Sequence, residues 1–498
     1  MRIWAGFAAM ALGMFMAILD IQIVVTSLPN IQAALDIEPE QMSWVQTAYL
    51  IAEVVAISLT GFFTRWLGMR RLFVVAISVF TLASLGCAAS NSLAALLSWR
   101  VLQGFAGGTL IPAVFSAVFL LFPVPRQGLA TMLAGVLAVL APTVGPVVGG
   151  WITETYSWHW LFLINILPGI VSAIVAGWLL PGTAMRPNEA RTLDVPSLML
   201  IVIALAALEI GLKEAPQRGW LSGLVAGLLV LSVASMSAFI RRTLRAGHPV
   251  VDFSAFADRN FTIGCVLSFV LGIGLFGSVY LMPVFLAFVR NHGALQIGLI
   301  MLATGVAQLA TAPIAVALER RLDARVLSAA GFVLFAAGLA MSTVQTPQTD
   351  GDGMFWPQVV RGVAIMFCLL PPTRLALGGM DLQRVPDASG MFNLMRNLGG
   401  AIGLALIDTV LYGRATLHVH EIGRRLIDGD VAMAKFVGIP LERFLAEGPG
   451  PIDPVRQALL QPLVEKAGLT LAINDAWMMI AILTAVVLLF IPFAKRAR

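Results

Sequence analysis

The sequence predicts an all-α polytopic membrane protein of about fourteen spans, built as two six-helix bundles with two further helices between them. Three observations predict it. Of the 498 residues, 59% are hydrophobic and only 12% charged, with a mean hydropathy of +0.89, against roughly 25% charged in soluble domains. The apolar residues gather in runs of about 20, enough to cross a hydrocarbon core of roughly 30 Å. Motifs of the early runs also return late in the chain at one constant offset.

Taken in order, the runs cover approximately 5–27, 43–64, 72–90, 94–118, 128–152, 160–181 and 195–213, then 220–240, 260–287, 295–318, 326–343, 355–378, 388–412 and 474–494. The first holds Asp20 and lacks a small-residue cleavage site, so it is expected to stay as a span and not to be a cleaved signal. Orientation follows from Lys and Arg in the short connections. One side carries eighteen, among them Arg65, Arg70, Arg71, Arg126, Arg186, Arg191, Arg241, Arg242, Arg320, Arg321, Arg496 and Arg498; the other carries Lys213, Arg218 and Arg290. The expectation is that both termini are cytoplasmic. The sequence pI near 9.4 then reflects topology and implies no nucleic-acid partner.

The repeat justifies the two-bundle arrangement. WRVLQGFAGGTLIP, with Arg100, Gly104 and Pro112, is echoed by VVRGVAIMFCLLPP, with Arg361, Gly362, Pro371 and Pro372. Each is followed by a glycine-rich run, and the basic loop at 65–71 has a partner at 319–325. The offset is eight runs, as expected for two six-span halves separated by an inserted pair. The implied division is 1–181, an insertion at 182–259, and 260–498. Duplicated halves of this kind suit a rocking-bundle transporter with substrate bound between them near the midplane.

Other chemistries find little support. Cys87, Cys265 and Cys368 stand alone in apolar runs, and no CxxC spacing exists. His418 and His420 beside Glu421 offer two imidazoles without a clear third ligand, so a solvated surface is expected and no metal. No GxxxxGK[ST] loop is present for nucleotide-driven transport, and no cofactor is expected. Tryptophans such as Trp44, Trp66, Trp151, Trp160, Trp220, Trp356 and Trp477 lie near run ends, as an interfacial belt would.

ILDIQIVVTSLPNI at 18–31, RVLQGFAGG at 100–108, APTVGPVVGG at 141–150, WHWLFLINILPG at 158–169 and NLMRNLGGAIG at 393–403 together resemble the major facilitator superfamily, in particular its fourteen-span drug:proton antiporters of the EmrB/QacA type. The resemblance implies proton-coupled export of lipophilic compounds by alternating access. It makes APTVGPVVGG the antiporter motif, in which Pro142 and Pro146 bend the fifth run while Gly145, Gly149 and Gly150 seal it against the other half. Ordinary close packing at the Gly145–Gly149 spacing is a compatible reading. One motif departs: GFFTRWLGMRR has Arg65 where the family carries an aspartate, so that charge contact must be absent or rebuilt.

Charges at the centre of a bilayer cost about 2.5–3.5 kcal/mol each on insertion scales, which makes them functional candidates. Asp20 lies ~22 Å from the cytoplasmic end of its run and Arg100 ~9 Å from the outer end of its own. Those depths nearly coincide. The pair is either a static fixture of helix register or a proton site in which Asp20 loads and releases the proton beside Arg100. Glu53 is a second proton carrier or a contact for a cationic substrate. Arg396 with Asn393 and Asn397 lines the cavity or ties its run to a neighbour, with Gln103 and Asn165 as further cavity candidates. Arg361, the counterpart of Arg100, is a further cavity candidate for which packing is the favoured role; Arg374 and Asp408 are assigned to snorkelling and Glu209 to headgroup water. Residues 413–473 are expected outside the membrane as short amphipathic helices carrying Leu459, Leu460, Leu463 and Val464. By resemblance they suggest contact with a periplasmic adaptor leading to an outer-membrane channel. The alternatives are export of one endogenous compound, such as a fatty acid or siderophore, and a membrane enzyme on lipid-linked substrates, for which no loop clusters the groups.

Overall fold

The computed structural model describes residues 2–36, 44–182, 185, 194–245, 251–447 and 454–495. The basic residues Arg186, Arg191, Arg496 and Arg498 lie outside the described residues, as does the side chain of Leu459. Among the described residues the chain is helical and contains no strand. Fourteen helices are long and apolar enough to cross a membrane, one for each expected run. Spans 1 to 7 are Arg2–Val24, Trp44–Leu67, Met69–Ala88, Leu93–Leu121, Val124–Thr155, Trp160–Leu179 and Val195–Arg218. Spans 8 to 14 are Gly223–Thr243, Arg259–Phe288, Leu295–Glu319, Ala324–Val344, Gly351–Leu377, Val385–Ile427 and Leu460–Phe493.

Short polar residues mark where the apolar runs begin. Ser92 accepts from the Ala95 amide at the start of span 4, Asp258 from Asn260 and Phe261 at span 9, and Asp350 from Gly351 at span 12. Each satisfies amides that the first turn of a helix leaves without intrahelical partners.

The helix pairs of the first six spans recur among the last six at the same offset of eight. Span 2 packs on span 4 as span 10 does on 12, span 1 on span 5 as 9 on 13, and span 3 on span 6 as 11 on 14. The two sets meet where span 13 lies against spans 2 and 4, and where span 5 lies against spans 10 and 12. Spans 7 and 8 pack on each other, and span 7 alone of the two leans broadly on spans 2 and 13. The pair is fastened by the Ser232 hydroxyl donating to Ala204 O at 2.8 Å and by Trp220 Nε1 donating to Thr409 Oγ1 at 3.0 Å.

The glycine motif of span 5 is used differently from the expectation. A β-carbon on Gly145 would overlap the side chain of Gln22 in span 1, within the same set of six. The close approach between the two sets is instead made by the partner helix: β-carbons on Gly298 and Gly305 of span 10 would press on Val147 and Thr143 of span 5. So span 5 turns its glycine toward span 1 and a larger side chain toward the other half. Its helix runs unbroken through Pro142 and Pro146.

The segment at 413–473 also differs in form from the expectation. Span 13 continues as one helix to Ile427, 43 residues in all, or about 65 Å, twice the hydrocarbon thickness. Charged residues after Leu411 end the hydropathy run but not the helix. Two short helices, Val431–Val437 and Leu441–Glu447, follow before the final helix starts at Pro454. Ile422, Leu426, Met433, Val437 and Val464 close a small core of their own, while Leu463 remains exposed.

Candidate functional site

Five of the first six spans build one buried polar network around Asp20. Span 4 reaches it because its glycines remove bulk: β-carbons on Gly104 and Gly108 would overlap the backbone of Tyr49 and Glu53 in span 2. That approach lets Arg100 Nε donate to Val45 O at 3.0 Å. Arg100 Nη1 then donates to Asp20 Oδ2 at 2.5 Å and to Gln103 Oε1 at 2.8 Å. Asp20 Oδ1 accepts from Gln103 Nε2 at 3.0 Å and from Asn165 Nδ2 at 2.7 Å. Ser84 of span 3 takes a further bond from Gln103 at 2.8 Å. The guanidinium lies over the Tyr49 ring, 4.4 Å from its centroid, and the Tyr49 hydroxyl donates to Ala17 O at 3.1 Å.

Asp20, Arg100 and Gln103 are all at 0% exposure and Asn165 at 1%. Every hydrogen-bond partner of the Asp20 carboxyl is an N–H donor, so both oxygens act as acceptors. The network is buried and sets one acid against one base.

Gln103 and Asn165, expected on a cavity wall, belong to this interior network. Glu53 is buried at 4% exposure, and no hydrogen bond or ion pair holds its carboxyl among the described residues. The charges that act on it are Glu209, Arg100 and Arg396. Glu209 is thus not directed only at headgroup water: it is partly buried and interacts with Glu53 across spans 7 and 2. Asp408 does not snorkel either, because it accepts from the Tyr280 hydroxyl at 2.7 Å. Arg374, 39% exposed, donates to Glu319 O at 3.0 Å.

Arg396 and Asn393 come together, with Nη2 donating to Asn393 Oδ1. The Arg396 guanidinium also lies 5.4 Å from the Phe115 ring centroid of span 4, so it ties span 13 to the first set of spans. Asn397 stays partly exposed on the same helix. Arg361 is buried at 2% exposure with no acid beside it. It lines a pocket of about 20 Å³ between span 5 and spans 9, 10 and 12.

Sequence reasoning missed several participants. Arg65 donates to Asp387 at the start of span 13, an ion pair that joins span 2 to the second set of spans. The missing aspartate of the loop motif is thus answered by the reverse polarity: the base sits on the loop side and the acid on span 13. The only available signal was the misplaced charge itself. Ser84, Tyr49 and Thr143 carried no signal beyond being polar residues in apolar helices.

Residues 10–404 match the Major Facilitator Superfamily model, and the chain belongs to that superfamily. Within it the chain is of the EmrB type. It is 40% identical over 428 residues to the colistin resistance protein EmrB of Acinetobacter baumannii, covering 85% of this chain and 83% of that protein. It is 31% identical over 412 residues to the multidrug export protein EmrB of Escherichia coli K12, covering 82% and 80%. The fatty acid resistance protein FarB of Neisseria gonorrhoeae is also 31% identical, over 415 residues, covering 82% and 81%. The solved proton:xylose symporter XylE shares the fold, with a TM-score of 0.61 at 12% identity over all of this chain and 96% of that one. Family and fold point to a transporter, a multi-pass protein of the inner membrane.

Proposed function

We propose that the protein exports lipophilic drugs or toxic compounds across the cytoplasmic membrane by alternating access, driven by inward proton flow. The observation that carries this reading is the 40% identity over most of both chains to an EmrB resistance protein, together with a buried acid bonded to residues of two other spans. In the proposed cycle the residues of spans 1–6 and 9–14 rock as two bodies, with spans 7 and 8 as an inserted pair. Asp20 carries the proton. When the spans part, a donor withdraws from the carboxyl, a proton binds, and Arg100 is left to be neutralised afresh; closure expels the proton and restores the pair. Glu53 is the second acid of the pathway. Both termini lie in the cytoplasm, as the charge asymmetry of the loops supports, and the helical cap at 413–473 is the docking surface for a periplasmic adaptor that leads to an outer-membrane channel.

The similarity to FarB favours one second reading, export of a fatty acid or related endogenous compound. Substrate-induced proton release from proteoliposomes across a compound panel decides between them. Responses to several unrelated lipophilic compounds support multidrug export, a response to one compound class supports the second reading, and no response to any overturns proton-coupled export. Removing residues 431–447 should lower resistance in cells but leave proteoliposome transport intact if the cap serves only an adaptor.

A further inference from the structure

We propose that Glu209 of the inserted span 7 is the outer proton donor to Glu53, so that the inserted pair supplies a step of the proton path and is not a spacer alone. The inference rests on the export reading and its topology, which it deepens by giving the proton an entry from the outer face.

Register places the two acids. Span 7 leans on span 2, and their outer ends are aligned where Lys213 Nζ lies 4.2 Å from the Trp44 ring centroid. Glu209 is four residues inward from Lys213, about 6 Å, and Glu53 is nine residues inward from Trp44, about 13 Å. Glu209 therefore stands between the outer surface and Glu53. Burial deepens along the same line: Lys213 is 24% exposed, Glu209 is partly buried, and Glu53 is enclosed at 4%.

Neither carboxyl is held. Among the described residues no hydrogen bond or ion pair reaches Glu53 or Glu209. The groups that could satisfy them are engaged elsewhere. Lys213 faces the Trp44 ring and, at 3.8 Å, Glu214 Oε1; Arg100 holds Asp20, and Arg396 holds Asn393. The Tyr49 hydroxyl, one turn from Glu53, donates to Ala17 O. On span 13, Asp408 accepts from Tyr280, and span 8 has no ionisable side chain before Arg241. Of the charges that act on Glu53, Glu209 acts most strongly. Two carboxylates across one seam repel each other, so an acid facing a base would serve packing better. Ionisable side chains kept inside a membrane mark ion and proton paths. In the step, Glu209 is loaded from outer water and gives its proton to the Glu53 carboxylate. One O–H bond breaks as the other forms, and Glu209 is left ionised to load again.

The proton is itself the probe. Photolysis of a caged acid takes the full-length protein in nanodiscs from mildly alkaline to mildly acidic pH, and infrared difference spectra follow carboxyl protonation. The Glu53 band is the one missing in Glu53→Gln. In Glu209→Gln it should rise about tenfold or more slowly, but to the same final height. Glu209→Asp should recover most of the rate, as should added azide, whose small conjugate acid carries protons past a missing carboxyl. Unchanged amide bands separate loss of the relay from misfolding. A Glu53 band that rises at the wild-type rate in Glu209→Gln overturns the proposal, as does a wild-type Glu53 that takes up no proton. Slowing that neither Glu209→Asp nor azide relieves would make Glu209 structural and overturns it too. No exported compound is needed for this readout, so silence of the proton-release panel and failure of the relay are distinguishable.

Discussion

Arg100 and Arg361 are buried to almost the same degree in spans related by the internal repeat, yet their surroundings are opposite. Arg100 is closed in by Asp20, Gln103, the Val45 carbonyl and the Tyr49 ring. Arg361 has a ring, a thioether and a pocket. A duplicated backbone can thus keep the same cation twice and assign it different work. In the first half the charge is paired with an acid; in the second half its contacts are a thioether and an aromatic ring.

The largest effect that bears on this contrast comes from Asp20→Asn. It preserves shape but removes the proton site, so uphill transport driven by a pH difference should fall to background in proteoliposomes, while substrate binding persists. Full proton-driven accumulation by that variant would transfer the role to Glu53, and Glu53→Gln run alongside measures that acid's share. Arg100→Ala is expected to lose folded protein as well, because it strands a buried carboxylate at a cost of about 3–5 kcal/mol. Recovery as a well-folded, fully active protein would count against the closed network.

The contact between Arg65 and Asp387 joins the two halves, so breaking it should alter the balance of transport states. Arg65→Ala should slow transport about fivefold or more, and the exchange Arg65→Asp with Asp387→Arg should recover most of that loss. If the double exchange behaves like the single change, the pair is incidental.

Glycines separate packing within a half from packing between halves. Gly145→Val drives a branched side chain into Gln22 of span 1, and the strain is about 1–3 kcal/mol. Its expected sign is a lower melting temperature in detergent. Gly298→Val should instead disturb the seam with span 5, reducing transport more than stability. Equal effects of the two on both measurements would erase the distinction.

The smallest effect is at the ends of the inserted pair, where Arg242 donates two hydrogen bonds to Asp194 at 2.7 and 2.9 Å. These bonds hold the Asp194 carboxyl down at about 2. A depressed carboxyl contributes stability above its unfolded value near 4, and that contribution is lost as pH falls through the folded value. Thermal stability should therefore show no change from this pair between pH 5 and 8, and Asp194→Asn should remove the dependence below pH 4. Half-exposed Arg242 keeps the effect small.

Much of this arrangement was legible in the residues. Fourteen apolar runs could be read because a bilayer core demands continuous hydrophobic length, and the Asp20–Arg100 pairing because helical rise converts residue number into depth. The end of span 13 was not, since hydropathy marks where lipid stops and not where backbone hydrogen bonding stops. Nor was the direction in which Gly145 faces. A small-residue spacing announces a close helix contact but does not name the partner.

The sequence alone determined the class, the number of spans, the repeat at an offset of eight and which charges had to be explained, because each follows from local composition or from spacing along one chain. Only the tertiary structure decided which of those charges are satisfied. Asp20 finds donors from spans 4 and 6, Arg65 finds Asp387 more than three hundred residues away, and Arg361 finds no acid among the described residues. Pairing depends on which faces of separate helices meet, and that is set by packing among all of them together.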